Sequence, residues 1–157
     1  MPLIPDNAVF LKRIGTLPLV TYQVGETVLA EGSRTGRLLI LKKGTVVVVK
    51  EAIEIAKIAE PGAVFGEVSA LLDRPHSADV RALETSQFHV ADADTLLVQD
   101  PLVLLYVATV LARRLDAATQ ALVELKRQVQ ARQPGSEIGE TIEKMEGLLY
   151  RYFRLFE

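Results

Sequence analysis

The residues equipped to act on a ligand are concentrated in one stretch, Phe65-Gly66-Glu67-Val68-Ser69-Ala70-Leu71-Leu72-Asp73-Arg74-Pro75-His76-Ser77-Ala78. A glycine that permits a tight turn, followed at once by a short helix, points backbone N–H groups at an anion, and the helix dipole favours the negative charge. A carboxylate such as Glu67 accepts from a sugar hydroxyl, and a hydroxyl such as Ser77 donates to a phosphate oxygen. These are parts for gripping a ligand rather than transforming it, because one carboxylate does not make an acid–base pair. The chain has no cysteine, which removes thiol nucleophiles, disulfides and thiolate-bound metals and fits a reducing compartment. Its two histidines, His76 and His89, lack the His-X-His or His-X3-His spacing of a metal pair, and there is no Gly-X-Ser-X-Gly elbow. His89 alternates with Phe88 and Val90 on what reads as a strand, which predicts a solvent-facing or locally bonded imidazole. The expectation is a binding domain with no catalytic constellation and no metal.

The elements that must position this stretch follow two different periods. Up to about Asp92 the chain reads as short β segments, at residues 27–30, 37–42, 45–50, 53–58, 80–83 and 86–91, rich in Val, Ile and Leu. Gly25, Gly32, Gly36, Gly44 and Gly62 punctuate them, as turn glycines do. Such spacing predicts a sheet folded on itself into a sandwich or barrel. After Asp92 comes a short helix over 93–99, and Pro101 then suits the first turn of a longer one. No glycine or proline follows until Pro134, while Leu104, Ala108, Leu111, Leu115, Ala118, Leu122, Leu125 and Val129 alternate spacings of four and three. That stripe predicts a helix–helix seam, on a helix of roughly 45 Å that one small β domain cannot cover, and therefore a homodimer through 101–132. The alternative is a stripe that packs on its own β domain. Gln133-Pro134-Gly135-Ser136 ends the helix, and Ile138, Ile142, Met145, Leu149, Tyr152 and Phe156 repeat the stepping on a C-terminal helix. Three segments result: 1–92, 93–132 and 136–157.

With 157 residues, half of them apolar, and a net charge of −2, there is material for one core and no electrostatic footprint for non-specific nucleic-acid binding. No basic start leads into an apolar run, and no apolar run reaches the length of a membrane span, so a soluble cytoplasmic protein with no membrane partner is expected.

The 65–78 stretch resembles the phosphate-binding cassette of cyclic-nucleotide-binding domains, whose pattern is Gly-Glu, an aliphatic and a small residue, a short helix, then Arg-Ser/Thr-Ala. Gly25-Glu26, Glu31-Gly32, Leu38–Leu41, Gly44-Thr45-Val46 and Pro61-Gly62 stand in that family's order, and Ala112-Arg113-Arg114-Leu115 resembles the start of the dimer helix in catabolite-activator-type proteins. The resemblance spans about residues 8–130. It implies a mainly β fold with α, a double-stranded β-helix or jelly-roll-like β-roll, followed by a long dimerisation helix and a C-terminal helix. It also implies a site for cyclic AMP or cyclic GMP at Phe65, Gly66, Glu67, Val68, Ser69, His76, Ser77 and Ala78. Gly66 would give close backbone approach, Glu67 would take the ribose 2′-hydroxyl, and Ser77 and Ala78 would take the phosphate. For the base, the family's helix residues fall on Ala118-Thr119, so Thr119 is the candidate.

One departure matters. The family's phosphate-pairing arginine falls on His76. Losing such a charge-assisted contact costs roughly 1.5–3 kcal/mol, about ten- to a hundredfold in affinity. Arg74 and Arg81 are near in sequence but off the family position. Three readings of His76 stay open: an imidazolium that binds phosphate, a bystander in a weak site, or a pocket that has drifted to another ligand or none. The winged helix-turn-helix of the family's transcription factors is also missing. Only about 25 residues follow Arg132, and from Pro101 to Glu157 eight basic residues face seven acidic ones, so no DNA partner is expected. The expected function is a cyclic-nucleotide sensor that dimerises and signals to a protein partner through 136–157. The alternative is a degenerate β-roll that serves as a dimeric interaction scaffold.

Overall fold

The structure, a computed structural model, describes residues 6–132, 140, 141, 143–145 and 147. The chain divides into two compact units, Met1–Val110 and Leu111–Glu157.

The first unit opens with α1 (Asn7–Ile14), whose N-cap Asp6 accepts from the Ala8 N–H, and whose buried face is Phe10 and Ile14, one turn apart. Eight strands follow: β1 (Leu19–Tyr22), β2 (Thr27–Leu29), β3 (Arg37–Lys43), β4 (Val46–Lys50), β5 (Ile53–Ile58), β6 (Val64–Phe65), β7 (Asp79–Ala82) and β8 (Ser86–Asp92). Helix α2 (Glu67–Leu71) interrupts them between β6 and β7. The strands form two antiparallel sheets, in the orders β1-β8-β3-β6 and β2-β7-β4-β5, the sheet folded on itself that the spacing predicts and the β-roll that the resemblance implies. Between the sheets lies a cluster of Val28, Leu29, Leu39, Leu41, Val46, Phe65, Val80 and Phe88. Phe88 takes Tyr22 and Phe65 edge-on, at centroid distances of 5.7 and 6.0 Å.

Helix α3 (Ala93–Gln99) is capped by Asp92, whose carboxylate accepts from the Thr95 N–H at 2.8 Å. Helix α4 (Pro101–Arg132) starts immediately afterwards. Asp100 at the junction accepts from the N–H groups of Leu102 and Val103 and pairs with Arg13 of α1 at 2.7 Å. In this first stretch of α4, Val103 and Val107 are fully buried, and Tyr106 stacks on Phe10 and donates its hydroxyl to the Gly62 carbonyl at 3.1 Å.

The second unit holds α4 from Leu111 onward. The residues that α4 buries are Val103 and Val107, and neither belongs to the heptad stripe; Leu104, Leu115 and Leu125 of the stripe are exposed. The described residues between 140 and 147 are helical. The expected helix over 136–157 lies mostly outside the described residues. No single helix among the described residues is long and apolar enough to cross a membrane.

All six expected strands are present, with ends displaced by about one residue, while α1, β1 and β6 add to the expected set. His89 corrects the sequence reading. It is only 6% exposed, and its Nδ1 has no hydrogen-bond partner among the described residues, where a solvent-facing or locally bonded ring was expected. The reason is topological: β8 lies between β1 and β3, with His89 opposite both Leu19 and Ile40, and α3 packs against the strand. A central strand covered on both faces buries residues of either parity.

Candidate functional site

The cassette begins where β6 ends. Phe65 stands opposite Leu39 on β3 and turns its ring into the core, so any part it has in the site is through its backbone. Gly66 then takes φ +90° as the N-cap of α2, with no side-chain cap of its own. A Cβ there would collide with the Arg37 carbonyl oxygen. The turn therefore needs glycine twice over, for its left-handed backbone and for its closeness to β3.

Glu67, the first residue of α2, is 2% exposed, a burial seldom seen for a carboxylate. Val68 and Ser69 follow it, half-buried. The Ser69 hydroxyl donates to the Arg74 carbonyl, and the Arg74 N–H returns to the Ser69 carbonyl at 3.1 Å. This closes the α2 turn into a loop, at whose tip Asp73 holds φ +46° and pairs with Arg34 at 3.1 Å. Helix α2 has only five residues, so individual N–H groups count for more here than a macrodipole.

His76 is the best-anchored residue of the stretch. Its N–H donates to the Ser33 carbonyl and its carbonyl accepts from the Gly32 N–H, both at 2.8 Å, a pair of main-chain bonds that tie the cassette to the β2–β3 loop. Its side chain is 5% exposed, and Nε2 lies 2.9 Å from Thr35 Oγ1. The ring carbon Cε1 is 3.8 Å from the position a Gly66 Cβ would take, so imidazole and glycine turn are neighbours. Ser77 and Ala78 complete the set, half-buried on the approach to β7, and the Ser77 hydroxyl has no hydrogen-bond partner among the described residues.

Burial holds the His76 imidazole below the ordinary histidine value. The ring is thus neutral near pH 7 in the free protein. The unfolded chain takes up this proton more readily, so the stability it confers is complete above the unfolded value of 6.5 and is lost as pH falls through the lowered folded value. The carboxylates that the fold acidifies act elsewhere. The Glu31 N–H holds Asp79 down, the Thr95 side chain Asp92 and the Arg13 guanidinium Asp100, all below 3.8, so their contribution is lost only in stronger acid. The melting temperature of the ligand-free protein is expected to fall as pH is taken from about 7 to about 5, and less steeply in His76→Gln. Parallel slopes in a pair of melting series would remove His76 from that role.

The structure places Gly66, Glu67, Val68 and Ser69 at the turn that opens α2 and brings the His76 ring beside it, while Ser77 and Ala78 follow His76 on the approach to β7. Thr119 belongs to the second unit, where its hydroxyl donates to the Leu115 carbonyl at 2.8 Å and keeps its lone pairs for accepting. Sequence reading missed Thr35, which lies 41 residues from the imidazole it meets. It also left out Arg37, whose carbonyl oxygen sits against Gly66. No motif marks either. Among the described residues no group of three or more histidines and carboxylates could hold a metal ion.

A family model described as the cyclic nucleotide-binding domain matches residues 19–98, the whole roll together with the cassette and α3. The chain belongs to the cyclic nucleotide-binding domain family.

Solved structures agree with the family at the level of fold. The Thermus thermophilus catabolite activator protein is 24% identical, with a TM-score of 0.63 over 76% of this chain and 60% of that one. A cyclic nucleotide-binding domain from Methylobacillus flagellatus kt is 21% identical, with a TM-score of 0.64 over 87% and 80%. PKAR CBD2 with Sp-2Cl-cAMPS bound is 25% identical, with a TM-score of 0.60 over 77% and 80%. The chain thus spans three-fifths of the length of the Thermus protein. No curated protein matches the sequence.

Proposed function

We propose that this cyclic nucleotide-binding domain is a sensor of a cyclic mononucleotide, cyclic AMP or cyclic GMP, that dimerises through α4 and passes its ligand state to a protein partner. The observation that carries the reading is Gly66. Its left-handed turn brings the backbone against β3 and opens α2 on the buried Glu67, while the His76 ring borders the same turn. In this reading Glu67 takes the ribose 2′-hydroxyl and Ser77 and the Ala78 N–H take the phosphate, and Thr119, by its family position alone, is the candidate for the base. The exposed stripe of Leu104, Leu115 and Leu125 supports a helix seam with a second copy, since Val103 and Val107 already serve the contact of α4 with its own unit. Residues 136–157 are the proposed relay to the partner.

A second reading is kept by His76 itself. A buried, neutral imidazole in place of an arginine is what a roll retained as a ligand-free interaction scaffold would tolerate.

Thermal unfolding with cyclic AMP and cyclic GMP separates the two. A ligand at 100 times its dissociation constant adds about 2.7 kcal/mol, or roughly 5–11 °C for a chain of this size. The expected shift is larger at pH 6 than at pH 8, because phosphate raises the histidine pKa and binding then takes up a proton. Unchanged melting with both nucleotides at both pH values would favour the scaffold.

A further inference from the structure

We propose that Thr35 is a positioning residue of this site: it holds Nε2 of His76 so that the ring presents an Nδ1–H donor to an anionic oxygen of the ligand. The inference rests on reading the cassette as a nucleotide site. The His76 main chain is fixed by its bonds to Ser33 and Gly32, so only the orientation and tautomer of the ring are left to set. Thr35 Oγ1 stands 2.9 Å from Nε2 and also accepts from the Arg37 N–H at 3.2 Å.

A hydroxyl has one proton and two lone pairs, and that count favours one tautomer. With one lone pair facing the Arg37 N–H, donation from Thr35 to a bare Nε2 uses the hydroxyl proton and leaves Nδ1 protonated. The opposite tautomer makes Thr35 accept twice and leaves its own proton without an acceptor among the described residues. It would also turn the bare lone pair of Nδ1 outward, and that lone pair repels a phosphate oxygen. Nδ1 has no partner among the described residues, and Cε1, the carbon between the two ring nitrogens, is the ring atom that approaches Gly66. The nitrogen-bearing edge of the ring thus lies beside the cassette turn, and with Nε2 held by Thr35 the nitrogen left for a ligand is Nδ1. The same hydroxyl can rotate to accept from Nε2–H if the ring becomes protonated, so Thr35 supports the imidazole in either state.

The experiment reads the His76 ring directly, by long-range proton–nitrogen spectra of the full chain at pH 8, in wild type, Thr35→Val and Thr35→Ser, with a cyclic AMP titration of each. Wild type and Thr35→Ser are expected to show the Nδ1–H tautomer. Thr35→Val is expected to lose it and to bind cyclic AMP about tenfold more weakly, the worth of one hydrogen bond. Thr35 is exposed and valine matches its shape, so the variant should fold, and its melting curve checks this. An Nε2–H tautomer in the wild type, or a Thr35→Val variant with tautomer and affinity unchanged, overturns the proposal. If the tautomer behaves as stated but cyclic AMP fails to bind, Thr35 keeps its role and the nucleotide reading of the site is what falls.

Discussion

Replacing Gly66 by alanine is expected to lower the melting temperature by roughly 5–15 °C and to abolish stabilisation by cyclic nucleotides. Two costs combine. A non-glycine residue in left-handed backbone loses about 1–2 kcal/mol, and Gly66 sits at φ +90°. The new Cβ must also displace the Arg37 carbonyl, which is main chain of a strand that is hydrogen-bonded on both sides and cannot swing away as a flexible side chain would. The sum is about 2–4 kcal/mol. Gly25→Ala is the control, since Gly25 has a comparable φ of +83° but nothing within 4 Å of the added carbon. A Gly66→Ala variant no less stable than Gly25→Ala would show that the close approach to β3 contributes nothing.

His76→Arg is expected to tighten cyclic AMP binding about ten- to a hundredfold at pH 8, the return of a permanent, bidentate charge to the phosphate. The gain should shrink at pH 6, where the wild-type imidazole can take up the proton that binding favours. Both main-chain bonds of residue 76 survive the substitution, so the position of the Cα is not at risk. Calorimetry at both pH values gives the result. Equal or weaker affinity in a variant with wild-type melting would mean that no phosphate lies within reach of position 76.

Much of this architecture was legible because its signals are local. Strands β3, β4 and β5 are runs rich in Leu, Val and Ile set among Gly36, Gly44 and Gly62, and the cassette is a contiguous motif. Helix α1 carried a usable sign in Asp6 with Phe10 and Ile14 at turn spacing, but eight residues at the chain start give little periodicity to weigh. Strand β6 is two residues long, too short to alternate. The reading of His89 failed because alternation predicts an exposed face only when one face of the sheet is open, and the place of β8 at the centre of its sheet is a long-range fact. Thr35 was illegible for the same kind of reason: its partner is set by the closing of the roll.

The two amide–carbonyl bonds that hold residue 76 to Gly32 and Ser33 involve no side chain. Any amino acid with a backbone N–H that is compatible with the local conformation inherits that tether. Mutation at this codon can therefore exchange the side chain beside Gly66 without rebuilding the surrounding loops, which makes the position a natural dial for divergence within the family.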